Sequence, residues 1–321
     1  HNFKIEKYFI HTNKTTYFSG ENVWFKTYVV EGGTNVPFFE ATNLHLNLYN
    51  TDLELVQEAL IYVENGVGHG QFKLDKELTQ GIYYIQLDSQ WNKNFKNNTT
   101  LFKIEVLNFN SNTPLTTTPI QNVAFIKDGV TNFDIYRNKA LETTQIVAFE
   151  IKTNAAAIKK DGLKNRTIFA ALHRQGDLKS IVPITVKKGQ FSYKIAFPKT
   201  EVFNGINTIS LFTEDEKRIT EKSFFIQKDA LADIQISKRT VANDTLALNL
   251  KLFNQSTKAN VSISVIPQQS KLYKNQSNIV SSFLIQPYLK TNNYDIANLI
   301  TTSPVNTNKL NYIAKIASLE T

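Results

Sequence analysis

Five histidines, His1, His11, His45, His69 and His173, are the first residues that could carry metal or acid–base chemistry. Metal centres need ligands that return to one face at short, regular intervals. None of the five has a carboxylate three or four residues on along a helical stretch. His45 sits in a segment that alternates apolar and polar, and His69 lies between Gly68 and Gly70 in an expected turn, so each histidine reads as structural or surface. The close carboxylates Asp52/Glu54 and Glu214/Asp215/Glu216 fall in polar, turn-rich stretches, which favour solvated loops over opposed acid–base pairs. Gly66-Val67-Gly68-His69-Gly70 approaches a dinucleotide-binding loop, but a strand pattern follows where a helix is required, so it reads as a β-turn. No Gly-x-Ser-x-Gly elbow or phosphate-binding Gly-Lys-Ser/Thr loop occurs. The absence of cysteine removes thiol nucleophiles, thioesters, thiolate zinc sites and disulfides together. No catalytic residue, cofactor or metal ligand is expected, and the chain reads as non-enzymatic.

Any function must then lie in surfaces, and the elements that carry them are strands. Leu44-His45-Leu46-Asn47-Leu48-Tyr49, Ile234-Gln235-Ile236, Leu246-Ala247-Leu248-Asn249-Leu250 and Val261-Ser262-Ile263-Ser264-Val265 alternate with period two, the mark of a strand with one buried face. Turn signals recur at short intervals (Ser19-Gly20, Asn65-Gly66, Asp128-Gly129, Asp161-Gly162, Lys188-Gly189, Asn204-Gly205), as antiparallel sandwiches require. Helical spacing appears only near the end, at Tyr294 to Ile300 and at Leu310, Ile313, Ala314 and Ala317, where short helices are expected.

The 321 residues are 41% hydrophobic and 12% aromatic, enough for two or three folded domains. No run approaches the ~20 apolar residues of a membrane-spanning helix. There is no methionine, even at position 1, as expected of a processed or excerpted product from which any targeting segment has been removed. Of a net charge of +8, residues 230 to 321 hold nine Lys/Arg against four Asp/Glu. Lys251, Lys258, Lys271, Lys274 and Lys290 among them are scattered singly among Asn, Gln and Ser, which reads as a solvated surface and gives no nucleic-acid signature.

An internal repeat sets the organisation. Gly70-Gln71-Phe72 and Gly81-Ile82-Tyr83-Tyr84-Ile85-Gln86-Leu87 recur as Gly189-Gln190-Phe191 and Gly205-Ile206-Asn207-Thr208-Ile209-Ser210-Leu211, with offsets of 119 and 124 residues. That period is one immunoglobulin-sized sandwich of about 100 residues plus a linker. In each copy the Gly-x-Phe unit is expected to start a strand, and the second glycine to turn the chain into a core strand. The expected division is sandwich one over 1–108, a linker over 109–119, sandwich two over 120–228, a partial or third sandwich over 229–290, and an irregular or helical tail over 291–321.

Three stretches also carry a family resemblance. Glu6-Lys7-Tyr8-Phe9-Ile10-His11-Thr12-Asn13-Lys14 and Tyr17-Phe18-Ser19-Gly20-Glu21-Asn22-Val23-Trp24-Phe25-Lys26-Thr27-Tyr28 resemble the opening of a macroglobulin-type domain, in the variant found in large envelope proteins of Bacteroidetes bacteria. Asn13 and Thr15 stand where that pattern has Asp and Pro. The second repeat is similar at Gly205 to Phe212, with Glu214, Glu221 and Phe224-Phe225 in matching places. The third stretch resembles the family at Ala259-Asn260-Val261-Ser262-Ile263-Ser264-Val265 and at Ile279-Val280-Ser281-Ser282-Phe283-Leu284-Ile285.

The resemblance implies tandem macroglobulin-like antiparallel β-sandwiches and a place in the cell envelope, periplasmic or associated with the outer membrane. Longer members resemble proteins associated with TonB-dependent receptors and continue through a Leu-Leu-Thr-Gln-Gly-Trp-Arg type segment. Here Leu299-Ile300-Thr301-Thr302 lacks the Gly-Trp-Arg portion, so a receptor role in its own right is not expected. The protease-trapping members act through a Cys-Gly-Glu-Gln thioester, which a chain without cysteine cannot form.

The expectation is a non-catalytic subunit that docks to an outer-membrane β-barrel protein or its associated subunits, with any membrane association through that partner or a lost lipid anchor. Candidate contacts are Trp91 and Phe95, in a polar loop, and Leu310, Ile313 and Ile316 in the tail. Trp24 is expected to pack in the core. Asp244-Thr245-Leu246 resembles the acceptor for O-glycosylation of exported Bacteroidetes proteins, which makes Thr245 a candidate modification site. The alternatives are an extracellular glycan-binding or adhesion module and the accessory domains of a larger envelope enzyme or receptor.

Overall fold

The computed structural model describes residues 5–94, 100–109, 133–175, 177–228, 233–241, 245–253, 259–274 and 278–288. It is an all-β structure of antiparallel sheets with few helices.

The first unit contains β1 (Glu6–Thr12), β2 (Thr16–Phe18), β3 (Asn22–Glu31), β4 (Asn43–Tyr49), β5 (Leu55–Glu64), β6 (Val67–Lys73), β7 (Gly81–Asp88) and β8 (Leu101–Leu107). Their order is β1-β3-β6-β5-β4-β7-β8-β2, antiparallel except where β2 runs beside β8. β5 makes the corner: it pairs with β4 along most of its length but meets β6 only through Val63 and Glu64. The sheet therefore folds over and both halves face one core. Alternation decides which side chains enter it. Leu44, Leu46 and Leu48 of β4 are fully buried, as are Val23 of β3 and Ile85 of β7.

That period corrects one expectation. Val23 and Phe25 take the core side of β3, so Trp24 between them points outward and is 54% exposed. A second correction concerns His69. The turn is confined to Asn65 (φ 52°) and Gly66 (φ 75°), which adopt the left-handed conformations a tight hairpin needs. Gly68, His69 and Gly70 already belong to β6, with His69 exposed.

The second unit contains β9 (Asp134–Arg137), β10 (Ile146–Lys152), α1 (Ala155–Lys160), β11 (Thr167–Arg174), β12 (Asp177–Thr185), β13 (Ser192–Pro198), β14 (Gly205–Thr213) and β15 (Arg218–Ile226). Sheets β13-β10-β9 and β12-β11-β14-β15 share a core in which Phe149 packs edge-on against Phe224, ring centres 4.7 Å apart. Asn154 caps α1 by accepting from the Ala157 amide. The second glycine of each repeat begins a strand, β7 at Gly81 and β14 at Gly205. The Gly-x-Phe units differ: Gly70-Gln71-Phe72 lies inside β6, whereas Gly189-Gln190-Phe191 precedes β13.

Beyond these lie a hairpin of β16 (Asp233–Val241) and β17 (Thr245–Phe253), a segment over 259–274 and α2 (Ile279–Leu284); the strand expected at Val261 to Val265 does not form, because that run is held by side-chain bonds to the first unit and pairs with no described strand. The expected linker beyond Phe109 and the helical spacings after Tyr288 lie outside the described residues.

The corner of the first unit leaves no room at Gly68, where an added Cβ would meet Thr27 Oγ1 at 2.6 Å and Ile61 Cγ2 at 3.0 Å. Gly68→Ala is expected to destabilise the chain by about 1–3 kcal/mol, read as a lower midpoint in urea with an unchanged slope.

Candidate interaction interface

Two sandwiches joined only by a linker would swing freely. Here residues 278–288 are wedged between them. Asn278 opens α2 with a capping box, its side chain accepting from the Ser281 amide while Ser281 Oγ accepts from the Asn278 amide. Six residues are too few to hold a helix alone, so packing must hold this one. Phe283, Leu284 and Ile285 are buried in the core of the first unit together with Ile206 and Phe225 of the second. Each such side chain contributes about 1.5–3 kcal/mol of burial. Gly205 makes the contact close: its φ is +102°, and a Cβ there would stand 2.5 Å from the Leu284 carbonyl oxygen.

Around this apolar wedge sit two buried cations, one from each sandwich. Lys7 of β1 is 3% exposed and donates to Asn35 Oδ1 (2.6 Å), the Phe283 carbonyl (2.8 Å) and the Tyr288 hydroxyl (2.7 Å). Arg174, at the end of β11, is 5% exposed. It donates to the carbonyls of Gly33 (2.9 Å), Gly32 (3.3 Å) and Asn204 (3.0 Å), and its guanidinium lies 4.0 Å from the Phe203 ring centre and 4.7 Å from that of Tyr288. Tyr288 in turn donates to the Gly32 carbonyl, and Gln175 Nε2 donates to the Pro287 carbonyl at 2.8 Å. The turn after β3, the end of β11 and the wedge are thus one hydrogen-bonded joint.

Burial holds the Lys7 ammonium well below its ordinary pKa, and the nearby Arg174 charge adds to this. Burial also lowers Arg174 and pushes the Tyr288 phenol up to about 12. Both cations are solvated by neutral acceptors, with carbonyl, amide and hydroxyl oxygens replacing water.

The segment before the wedge straps the outside of the first unit. Ser262 Oγ and His11 Nδ1 are 2.6 Å apart, and Lys26 Nζ donates to the Val261 carbonyl at 3.1 Å. Further on, the Thr15 and Thr16 amides donate to the Leu272 carbonyl, capping the edge at β2, and Lys274 pairs with Glu105 of β8 at 2.6 Å. Partial burial lowers the pKa of His11. The wedge on one face, where α2 packs on β1, and the core on the other explain why Glu6 through Ile10 are buried without alternation.

The residues picked out in the sequence fall elsewhere. Trp91 is 45% exposed beside a loop base fixed by buried groups: the Ser89 amide donates to the Tyr8 hydroxyl, and the Asn92 amide to Ser89 Oγ. Asp88 beneath it is raised by burial, against donation from Asn92 and Gln86. Thr245 is exposed at the start of β17. Phe95, Leu310, Ile313 and Ile316 lie outside the described residues.

His173, Ser210 and Glu221 come together across β11, β14 and β15, with Nε2 to Oγ at 2.8 Å and Ser210 donating to Glu221 at 3.3 Å. The order is wrong for an activated nucleophile, because the serine stands between the histidine and the acid, and Ser210 is buried. Its geometry is that of a hydrogen-bonded ladder across three strands. Among the described residues no group of three or more His, Asp or Glu could hold a metal ion.

No family model matches the chain, and no curated protein matches it. Among solved structures it is similar to Salmonella alpha-2-macroglobulin reacted with methylamine, at 13% identity and TM-score 0.26, over 76% of this chain and 16% of that one. It is also similar to trypsin-activated alpha-2-macroglobulin from Escherichia coli, at 14% identity and TM-score 0.26, over 76% of this chain and 17% of that one. The BSP domain of a biofilm associated protein is 12% identical at TM-score 0.22, over 70% of this chain and 30% of that one. The chain therefore spans less than a third of the length of each.

Two outcomes follow from the joint. Arg174→Lys keeps the charge but loses the fork and the ring stacking, so a loss of roughly 2–4 kcal/mol is expected, with faster hydrogen exchange over 279–288. Because Lys7 binds its proton less tightly folded than unfolded, the unfolded state holds more protons between the two pKa values, and stability rises with pH across that window, up to about pH 10. Urea midpoints measured across that range are expected to climb in the parent chain and to flatten in Lys7→Met.

Proposed function

We propose that this chain is a non-catalytic docking arm of a bacterial envelope assembly, binding an outer-membrane β-barrel protein or its associated subunits through sheet edges and loops. The observation that carries the reading is the joint. Wedge residues Phe283 to Ile285 and the grips of Lys7 and Arg174 cross between two sandwiches, which suits a part that must hold binding surfaces at a fixed separation. A flexible pair would lose affinity to the entropy of ordering its domains.

The contacts would be the Trp91 loop, with its buried base, and the tail residues Leu310, Ile313 and Ile316. Among the described residues no helix is long and apolar enough to cross a membrane, so association through a partner or a lipid anchor fits this reading. Exposed Trp24 and Trp91 favour a second reading, an extracellular glycan-binding module, since sugar platforms are flat exposed aromatics. Modification at exposed Thr245 is compatible with either.

Gentle detergent extraction of the tagged native protein, followed by mass spectrometry, separates them. Stoichiometric recovery with an outer-membrane barrel is the expected result, with Trp91→Ala weakening recovery. Recovery as a free monomer whose tryptophan fluorescence responds to oligosaccharide would replace the docking arm with the glycan module.

A further inference from the structure

His11 ties a distant segment to the first unit through the kind of side chain that titrates near neutrality. Its Nδ1 lies 2.6 Å from Ser262 Oγ. Directly across the ladder stands Lys26, on the same face, and its Nζ donates to the Val261 carbonyl at 3.1 Å. Ser262 also faces the Tyr28 hydroxyl. Residues 259–266 pair with no described strand, so side-chain hydrogen bonds are what fasten this part of the strap. Further on the fastening is of another kind: backbone bonds from Thr15 and Thr16 to the Leu272 carbonyl, the Lys274–Glu105 pair, and then the wedge.

The charges around the His11 ring are positive. Lys26 faces it from β3, with His69 of β6 beyond. A cavity of about 40 Å³ beside the ring is lined also by Lys103 of β8 and by Tyr273 and Lys274 of the strap. The carboxylates nearby are committed, Glu105 to Lys274 through both oxygens at 2.6 and 2.8 Å, and Glu21 to Lys14 at 2.7 Å. A proton on His11 would therefore add a cation to a cationic surround, and burial already lowers the pKa of the ring. The cavity has room for a water molecule, which gives the proton a way in while the strap is still seated.

We infer that residues 259–266 are an acid-released strap: protonation of His11 beside Lys26 frees Val261 and Ser262 from β1 and β3 and uncovers the stacked Phe9 and Tyr28 rings, while the wedge stays seated. The sign follows from linkage. With the strap away the ring is hydrated and returns toward its ordinary value, so the released form holds the proton more tightly. Falling pH then favours release by about tenfold for each unit between the two pKa values. The device is independent of the docking reading, since it needs no partner.

The chain has no cysteine, so two spin labels can be placed without ambiguity, at Ile263→Cys on the strap and Lys73→Cys on β6, both exposed. Distances are measured by pulsed dipolar spectroscopy at about pH 8 and about pH 5, either side of the ordinary histidine value of about 6.5. The expected result is one short distance at the higher pH and a longer, broader population that grows reversibly on acidification. His11→Gln can still bond to Ser262 but cannot titrate, and is expected to keep the short distance throughout. Lys26→Gln keeps a donor for the Val261 carbonyl without the charge, and is expected to lower the midpoint, because the protonated ring is then better tolerated under the strap. Identical distances at the two pH values, or acid release that His11→Gln retains, would overturn the inference. So would loss of the near-ultraviolet circular dichroism over the same range, which would mean that the whole chain unfolds. If His11→Gln does not fold, the Lys26→Gln midpoint decides, and an unchanged midpoint counts against the strap.

Discussion

Two cations taken out of water, whose hydrogen bonds go to neutral oxygens alone, set the terms for the rest of the molecule. A buried ammonium or guanidinium is tolerable only if acceptors at fixed positions replace the water it loses. Lys7 finds its three on Asn35, the Phe283 carbonyl and Tyr288, and Arg174 finds carbonyls on Gly32, Gly33 and Asn204. Those acceptors come from both sandwiches and from the wedge. Neither sandwich can rotate, and the wedge cannot leave, without stranding at least one charge. The interaction gives little net stability, but it makes departures from one geometry expensive. That is a specificity device for domain orientation.

The same logic explains the glycine at the centre. Carbonyls can approach a guanidinium from two directions only if backbones meet closely, and Gly205 lets the Leu284 backbone come to where a side chain would stand. Gly32 serves the other side: its carbonyl takes hydrogen bonds from both Arg174 and Tyr288, and a Cβ there would meet the Ile5 carbonyl at 2.8 Å. Backbone oxygens used in this way suit binding of a charge without chemistry.

Much of the sandwich architecture was legible in the residues. Period-two alternation located β4, β16 and β17, and the repeated second glycine located the starts of β7 and β14. The interface was not legible, for a physical reason. Alternation reports one buried face per strand, whereas the joint lies on the outer face, which a sequence read strand by strand assigns to solvent. The available signal was the unbroken Tyr8-Phe9-Ile10 run, which marks a strand covered on both sides. Trp24 failed for the converse reason: its size argues for the core, but its parity with Val23 and Phe25 places it outside, and parity is the stronger constraint. Lys7 and Arg174 give no local sign of their role, because their acceptors lie 28 to 281 residues away in one case and 30 to 142 in the other.

The outer face of the first sandwich has apolar bulk, in Phe9 and Tyr28, that solvent would penalise, and the strap and wedge cover it from within the chain. The two covering segments divide the work: the strap meets His11 and Lys26 through Ser262 and the Val261 carbonyl, while the wedge sends Phe283 to Ile285 into the core beside Ile206 and Phe225. A sandwich built from β1 to β8 is thus completed by residues 235 to 276 positions away, and losing either segment leaves part of its surface bare.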